Sequence, residues 1–170
     1  MKSQIWKFFY WPALWFLALW PWQPSSHFLP KLTPLFRTIG AILMSYGLLI
    51  HIVAGKTLKK LGHSAGNKSI WPDVLVTKGI YATMRHPQHL GLILIPLGLA
   101  FIISSLQAFL GAGWTVAGAL VFLILIEEPE CLEKFHTSYF DYMARTPPFS
   151  LRPGAILYGI RFLKDLRDKT

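Results

Sequence analysis

Charge is scarce in this chain. Asp, Glu, Lys and Arg make up 15% of its 170 residues, against roughly 25% in an average soluble domain. Acidic residues are the fewest, 8 against 17 Lys and Arg. Cys131 is the single cysteine, which excludes a disulfide scaffold within the chain. With His136 it would offer zinc two ligands where three or four are usual, so no metal site is expected. What fills the chain instead is apolar: 53% of residues are hydrophobic and the mean hydropathy is +0.42. Disorder and collagen-like classes are excluded. The length suits one domain.

The longest charge gap decides the class. No Asp, Glu, Lys or Arg occurs between Arg85 and Glu127. One helix over residues 86–126 would be about 60 Å long at roughly 1.5 Å per residue, twice the hydrocarbon thickness of about 30 Å. The run therefore predicts two membrane spans, near 88–103 and 110–126. The turn between them falls at Ser104-Ser105-Leu106-Gln107 or at Gly111-Ala112-Gly113. A third span covers 38–55, where Gly40, Ala41, Ser45 and Gly47 permit close helix contact. A fourth segment, 8–22, carries Pro12, Pro21 and four Trp residues, which favour the headgroup level.

Thirteen of the 17 basic residues lie in residues 56–85 or after Ile126. The positive-inside rule places both segments in the cytoplasm, with the N- and C-termini on the same side. Basic residues rimming membrane spans also account for the net charge of +9, so no nucleic-acid partner is expected. In the tail, Leu132, Phe135, Tyr139 and Tyr142 share one helical face. After Thr146-Pro147-Pro148, the run Ile156, Leu157, Ile160, Leu163 opposes Arg161, Lys164 and Arg167. That predicts an amphipathic helix on the anionic cytoplasmic surface. The expected fold is all-α: an integral membrane bundle of about four transmembrane helices with this tail. One domain spans 1–170, with two N-terminal spans in 1–55, a core in 56–150 and the tail in 151–170.

Two polar clusters flank the charge-free hairpin: Arg85-His86-Pro87-Gln88-His89 before it and Glu127-Glu128-Pro129-Glu130 after it. An antiparallel hairpin returns them to one side of the membrane. Pro87 suits the first turn of a helix, leaving the amides of Gln88, His89 and Leu90 as an anion-binding end. An anion site and a cation site then face each other across a cleft. A zwitterion bearing a ribose, such as S-adenosylmethionine, matches both, with Glu binding its ammonium or diol through charge-assisted bonds. His51, within a span, reads as a satisfied buried polar residue.

The ordered set Leu75-Val76-Thr77-Lys78-Gly79-Ile80-Tyr81, Arg85-His86-Pro87-Gln88-His89-Leu90-Gly91, and Glu127-Glu128 followed by Leu132, Phe135, Tyr139, Tyr142 and Thr146-Pro147 resembles the isoprenylcysteine carboxyl methyltransferase family. The wider group of that family includes the phospholipid N-methyltransferases. The resemblance runs over about residues 57–150. It implies an integral membrane methyltransferase that uses S-adenosylmethionine without a Rossmann domain. The cofactor would sit on the cytoplasmic side, and a lipophilic substrate would arrive through the bilayer.

By position, Tyr81, Arg85, His86, Pro87, His89, Gly91, Glu127 and Glu128 are the implied cofactor residues, with Arg85 and Glu128 in the catalytic role. The chain departs from the pattern at His89, where the family usually has Tyr, and at His136, where it has Gly. The methyl acceptor stays open between a prenylcysteine carboxylate, a phospholipid amine and a small thiol. Rival readings are an NADPH-dependent sterol-reductase-like enzyme and a non-enzymatic membrane adaptor. Against the reductase, whose related segment typically runs on to Gly-Glu, Leu92 and no acidic residue stands directly after Gly91.

Overall fold

The charge-free run folds as two helices, α3 (Pro87–Ile103) and α4 (Leu106–Phe122). The turn between them is made by Ser104 and Ser105. Ser104 adopts a left-handed φ of 56° and donates its amide to Ala100 O at 2.9 Å, closing α3. Ser105 caps α4 by accepting from the amide of Ala108 at 3.2 Å, which satisfies a donor the helix leaves free. The second helix therefore starts at Leu106, four residues before the expected 110. Gly111 to Gly113, the other expected turn, lie inside α4 because no cap residue precedes them.

The computed structural model describes residues 6–19, 32–67, 69 and 71–168. Before the hairpin come α1 (Trp6–Leu19) and α2 (Thr33–Leu61). Trp20, Pro21 and Trp22 of the expected first segment lie outside the described residues. After α4, a single π turn at Leu123–Glu127 leads into α5 (Glu128–Arg145), and α6 (Pro153–Arg167) follows. Among the described residues there is no strand. The π turn has a local cause. Pro129 has no N–H to donate back and its ring crowds the carbonyl four residues earlier, so the helix widens before it.

Among the described residues, two stretches are long and apolar enough to cross a membrane, Thr33–Leu61 and the continuous run Leu106–Arg145, whose apolar part ends at Ile126; the apolar α3 is shorter. Their outward faces carry Ile42, Leu49 and Ile52 on α2 and Leu110, Trp114 and Val121 on α4. Such a surface suits hydrocarbon and not water.

The chain divides into two compact units. The first comprises residues 1–47 and 93–124. Small residues set its packing: Ala100, Ala108 and Ala112 form a buried cluster. Gly40 meets Gly98 so closely that a Cβ on Gly40 would stand 2.4 Å from Gly98 O. Gly40 and Gly47 are buried as expected, but Ala41 and Ser45 face outward, because they lie on the opposite side of the helix. The rings of Phe36, Phe101 and Phe109 pack edge to face at 5.0–6.1 Å. α1 is held to α4 by Tyr10, which donates to Gly118 O at 2.7 Å and stacks 4.8 Å from Phe122.

The second unit comprises residues 48–92 and 125–170. Its buried core includes Ile50, Val53, Ile80, Met84, Tyr139, Tyr142 and Ile156. Two sequence expectations are corrected here. The stripe Leu132, Phe135, Tyr139, Tyr142 is not one continuous helical face, because α5 kinks at His136 (φ 50°, ψ −131°). On α6, Ile156 is buried against the protein while Leu157 and Ile160 point outward, so the expected apolar stripe is split.

His136 occupies a backbone region that essentially only glycine adopts freely, at a cost of about 1–3 kcal/mol for other residues. Its side chain is exposed, so little packing is lost on removing it. This is the position where the resemblance drawn from the sequence implies a glycine. His136→Gly is expected to stabilise the protein by about 1 kcal/mol, after the extra unfolded-state entropy of glycine is subtracted. Thermal unfolding in detergent measures this, and an unchanged or lower midpoint would contradict the strain.

Candidate active site

Residues 62–67 and 71–81 approach the site as a pinned segment. Asp73 accepts from the Ser64 amide at 2.9 Å and from the Ser64 hydroxyl, and these bonds, with one from Asn67, hold its carboxyl well below the usual range. The amide of Asp73 donates to Gly62 O, and Lys134 on α5 donates to Pro72 O at 2.5 Å. A short 3₁₀ turn, Gly79–Ala82, follows. Gly79 has a φ of 62°, and a Cβ there would meet Phe162 at 2.7 Å, so glycine is needed on both counts.

Tyr142 fixes the next residues. Its buried hydroxyl donates to Tyr81 O at 2.5 Å, and burial pushes its phenol pKa upward, keeping it a donor. The amides of Arg85 and His86 then donate to the carbonyls of Pro147 and Pro148 at 2.9 and 3.1 Å. The segment after α5 is thereby laid along the segment before α3. Prolines suit this role, because their own missing N–H leaves the carbonyl as the sole backbone polar group.

Arg85 is the hub. One terminal nitrogen donates to Met143 O at 3.2 Å and Thr146 O at 2.6 Å, satisfying carbonyls at the end of α5. The other donates to Glu128 Oε1 at 2.5 Å. The Arg85 and Glu128 side chains are 8% and 18% exposed. The expected anion and cation sites are therefore paired directly and do not face each other across an open cleft. The π turn accounts for this: one extra residue rotates every later side chain by about 100°.

His86 joins the pair, with Nε2 3.1 Å from the same Oε1. A carboxylate only accepts, so Nε2 carries the proton and Nδ1 keeps its lone pair. The Tyr139 hydroxyl lies 3.3 Å from Nε2. Burial dominates the imidazole and outweighs the pull of Glu128, taking its pKa from 6.5 down to about 4. For Glu128, which lies past the end of the apolar run, burial raises the carboxyl. The bonds from Arg85 and His86 outweigh that and hold it below its ordinary value. At neutral pH the site thus holds Arg⁺, carboxylate and neutral imidazole.

Both shifts act in the same direction on acidification. Above pH 6.5 His86 is neutral folded or unfolded. Between 6.5 and about 4 the unfolded chain takes up a proton that the folded chain refuses. Stability therefore falls as pH drops through that window. Glu128 adds a further loss below its ordinary value of 4.5 as the folded carboxyl protonates. The unfolding midpoint is expected to be level above pH 7 and to decline toward pH 5, with a shallower decline in His86→Gln. An identical slope in that variant would remove His86 as the cause.

The remaining sequence-derived residues lie close by. Pro87 opens α3 and is fully buried. The His89 ring packs edge to face on His86 at 5.7 Å. Gly91 and Tyr81 are buried, and Glu127 is half-buried. Of the three amides expected to be free at the start of α3, that of Leu90 donates to His86 O at 3.1 Å, because His86 occupies the cap position. That of Gln88 has no backbone partner among the described residues. His51 reaches Gln88 O through Nδ1 at 3.3 Å. Tyr139 and Tyr142, which the sequence places on one helical face, also hydrogen-bond here, to His86 and to Tyr81 O; their place in the ordered motif was the available signal.

Two atoms test the site for a ligand. Arg85 Nε is buried with no hydrogen-bond partner among the described residues. Every hydrogen bond described at Glu128 goes to Oε1, which leaves Oε2 with acceptor capacity. A ligand bearing both an acceptor and a cationic or diol group fits this pair of vacancies. Among the described residues no cluster of His, Cys, Asp and Glu suits a metal ion.

The sequence profile of a family described as phospholipid methyltransferase matches residues 35–138. The protein-S-isoprenylcysteine O-methyltransferase of Dictyostelium discoideum is 31% identical over 105 residues, which are 61% of this chain and 44% of that protein. The match thus spans under half the length of that relative. No solved structure matches the chain.

Proposed function

The chain belongs to the phospholipid methyltransferase family, and from that premise we propose that it is a membrane methyltransferase of the isoprenylcysteine carboxyl methyltransferase type that uses S-adenosylmethionine. The observation that carries this reading is the Arg85–Glu128–His86 cluster at the mouth of the α3–α4 hairpin, with its unused Arg85 Nε and Glu128 Oε2. Arg85 precedes α3 and Glu128 follows α4, so their contact supports a hairpin that starts and ends on one side of the membrane. With α1 and α2 this gives four spans, both termini cytoplasmic, and a site on the cytoplasmic side.

In this reading S-adenosylmethionine supplies a methyl group on a sulfonium. The chain's residues bind and orient. Glu128 Oε2 would hold the ammonium or the ribose diol, Arg85 Nε would hold a carboxylate, and the amide of Gln88 would add a donor. Tyr81, Pro87 and Gly91 shape the wall, and Glu127 and His89 complete the polar rim. Positioning of this kind supplies most of the rate, because the protein need not provide a nucleophile. A lipophilic acceptor would reach this cluster from the bilayer.

The neutral His86 favours a second acceptor class, a phospholipid amine or a thiol, which must shed a proton that a carboxylate lacks. Nδ1 of His86 holds a lone pair for that proton. Radiolabelled methyl transfer into prenylcysteine analogues, membrane lipids and small thiols tests the acceptor. Heating the detergent-solubilised protein with S-adenosylhomocysteine or with NADPH tests the cofactor. Stabilisation by NADPH alone would favour the reductase reading, and stabilisation by neither would favour an adaptor.

A further inference from the structure

α6 uses its surface in an unusual way. At about 100° per residue, Ala155, Ile156, Gly159, Phe162, Leu163 and Leu166 fall on one half of the helix. That half is spent on the protein. Ala155, Ile156 and Gly159 are buried, a Cβ on Gly159 would stand 2.7 Å from Val53, and Phe162 lies against Gly79.

The other half carries Leu157, Tyr158 and Ile160, exposed by 57%, 50% and 44%. Beyond them, on the same outer half, come Arg161, Lys164, Asp165, Arg167 and Asp168, all exposed. A helix lying flat on a membrane separates apolar from charged residues around its axis. α6 separates them along its axis, apolar in the first two turns and charged in the last two. Leu151, just before the helix, is exposed as well, and Arg152 beside it already has a partner within the protein.

We propose that α6 is a second bilayer contact of this protein, entering the cytoplasmic leaflet obliquely with its N-terminal end foremost. Leu151, Leu157 and Ile160 lie among the acyl chains. Tyr158 sits at the headgroup boundary, where tyrosine is favoured, and Arg161 and Lys164 meet the phosphates of anionic lipids. The rise from Leu157 to Lys164 is about 10 Å, comparable with the roughly 5–10 Å that interfacial helices reach into a leaflet. The contact anchors the 3₁₀ turn and the loop before α3 to the membrane surface, since α6 packs on Gly79 and Ile80. It depends on the chain being in a bilayer and not on methyl transfer.

Spin labels test this in the full chain. Leu157→Cys, Ile160→Cys, Lys164→Cys and Asp168→Cys are made singly in a Cys131→Ser background. They are then reconstituted in nanodiscs of phosphatidylcholine with phosphatidylglycerol. Oxygen is expected to relax the labels at 157 and 160 more than a water-soluble nickel chelate does, with the order reversed at 164 and 168. Nickel dominance at all four positions would place α6 in water. Equal depth at all four would make it a flat helix, and poor access for both reagents would mean that protein covers the face. Each of these overturns the proposal. In nanodiscs of phosphatidylcholine alone, the labels at 157 and 160 are expected to shift toward water; an unchanged depth would overturn the anionic-lipid contact.

Discussion

Arg85→Met is expected to lower the unfolding midpoint by about 6–12 °C and to abolish methyl transfer. The guanidinium makes three described bonds, to Met143 O, Thr146 O and Glu128 Oε1. Its loss leaves two carbonyls without this donor and takes from the half-buried Glu128 carboxylate its cationic partner, with only the neutral His86 still donating to it. Breaking a buried ion pair from one side costs about 3–5 kcal/mol. The lower end applies because Glu128 keeps some contact with water. At about 2–4 °C per kcal/mol for a chain of this size, a loss near 3 kcal/mol gives the stated shift. Arg85→Lys should fare little better, because one ammonium cannot reach the α5 carbonyls and Glu128 in the fixed fork that Arg presents. Glu128→Gln separates stability from binding. It keeps a polar group beside Arg85 and should mainly weaken S-adenosylhomocysteine affinity, by about 1–3 kcal/mol, the range for a charged hydrogen bond. Unchanged affinity in that variant would take Glu128 out of the cofactor site.

The second large effect is steric. Gly40→Ala places a methyl 2.4 Å from Gly98 O and 2.9 Å from Ile102 N. Both are backbone atoms of α3, so neither can swing aside and the two helices must part. Overpacking costs about 1–3 kcal/mol, occasionally more, and the upper part of that range is expected here. Gly113→Ala is the control within the same unit. A Cβ there meets nothing within 4 Å, and the swap removes a helix glycine worth up to about 1 kcal/mol against Ala. Unfolding in detergent should therefore show a clear loss for the first and no loss for the second. Equal midpoints would mean that α2 and α3 do not approach as closely as Gly40 and Gly98 indicate.

The relation between sequence and site is clearest at three places. Arg85-His86 and Glu127-Glu128 were legible as neighbours because a charge-free run too long for one helix must fold back, and folding back returns its ends to one side. Their direct contact was not legible. It depends on the π turn before Pro129, which rotates Glu128 onto Arg85, and on the Pro147 and Pro148 carbonyls that seat the Arg85 backbone from a distant part of the chain. His136 stood out in the sequence only as a missing glycine. Its positive φ gives the reason, and that φ arises where α5 must kink for Tyr139 and Tyr142 to turn inward.

α6 shows the same division. Its periodicity marked a helix with one apolar and one basic side, yet not which neighbours would claim the apolar side. Gly159 against Val53 and Phe162 against Gly79 spend that side on the protein and turn Leu157 and Ile160 outward. The helices, the hairpin, the charge-poor runs and the ordered polar motif follow from local composition and from the solvent each segment can tolerate, so one chain of letters is enough to mark them. The rotation of each helix about its axis, and with it which atoms of Arg85, His86 and Glu128 are spent on one another, follows from packing alone. Rotation is set by contacts between residues far apart in the chain, and periodicity within a single helix carries no record of them.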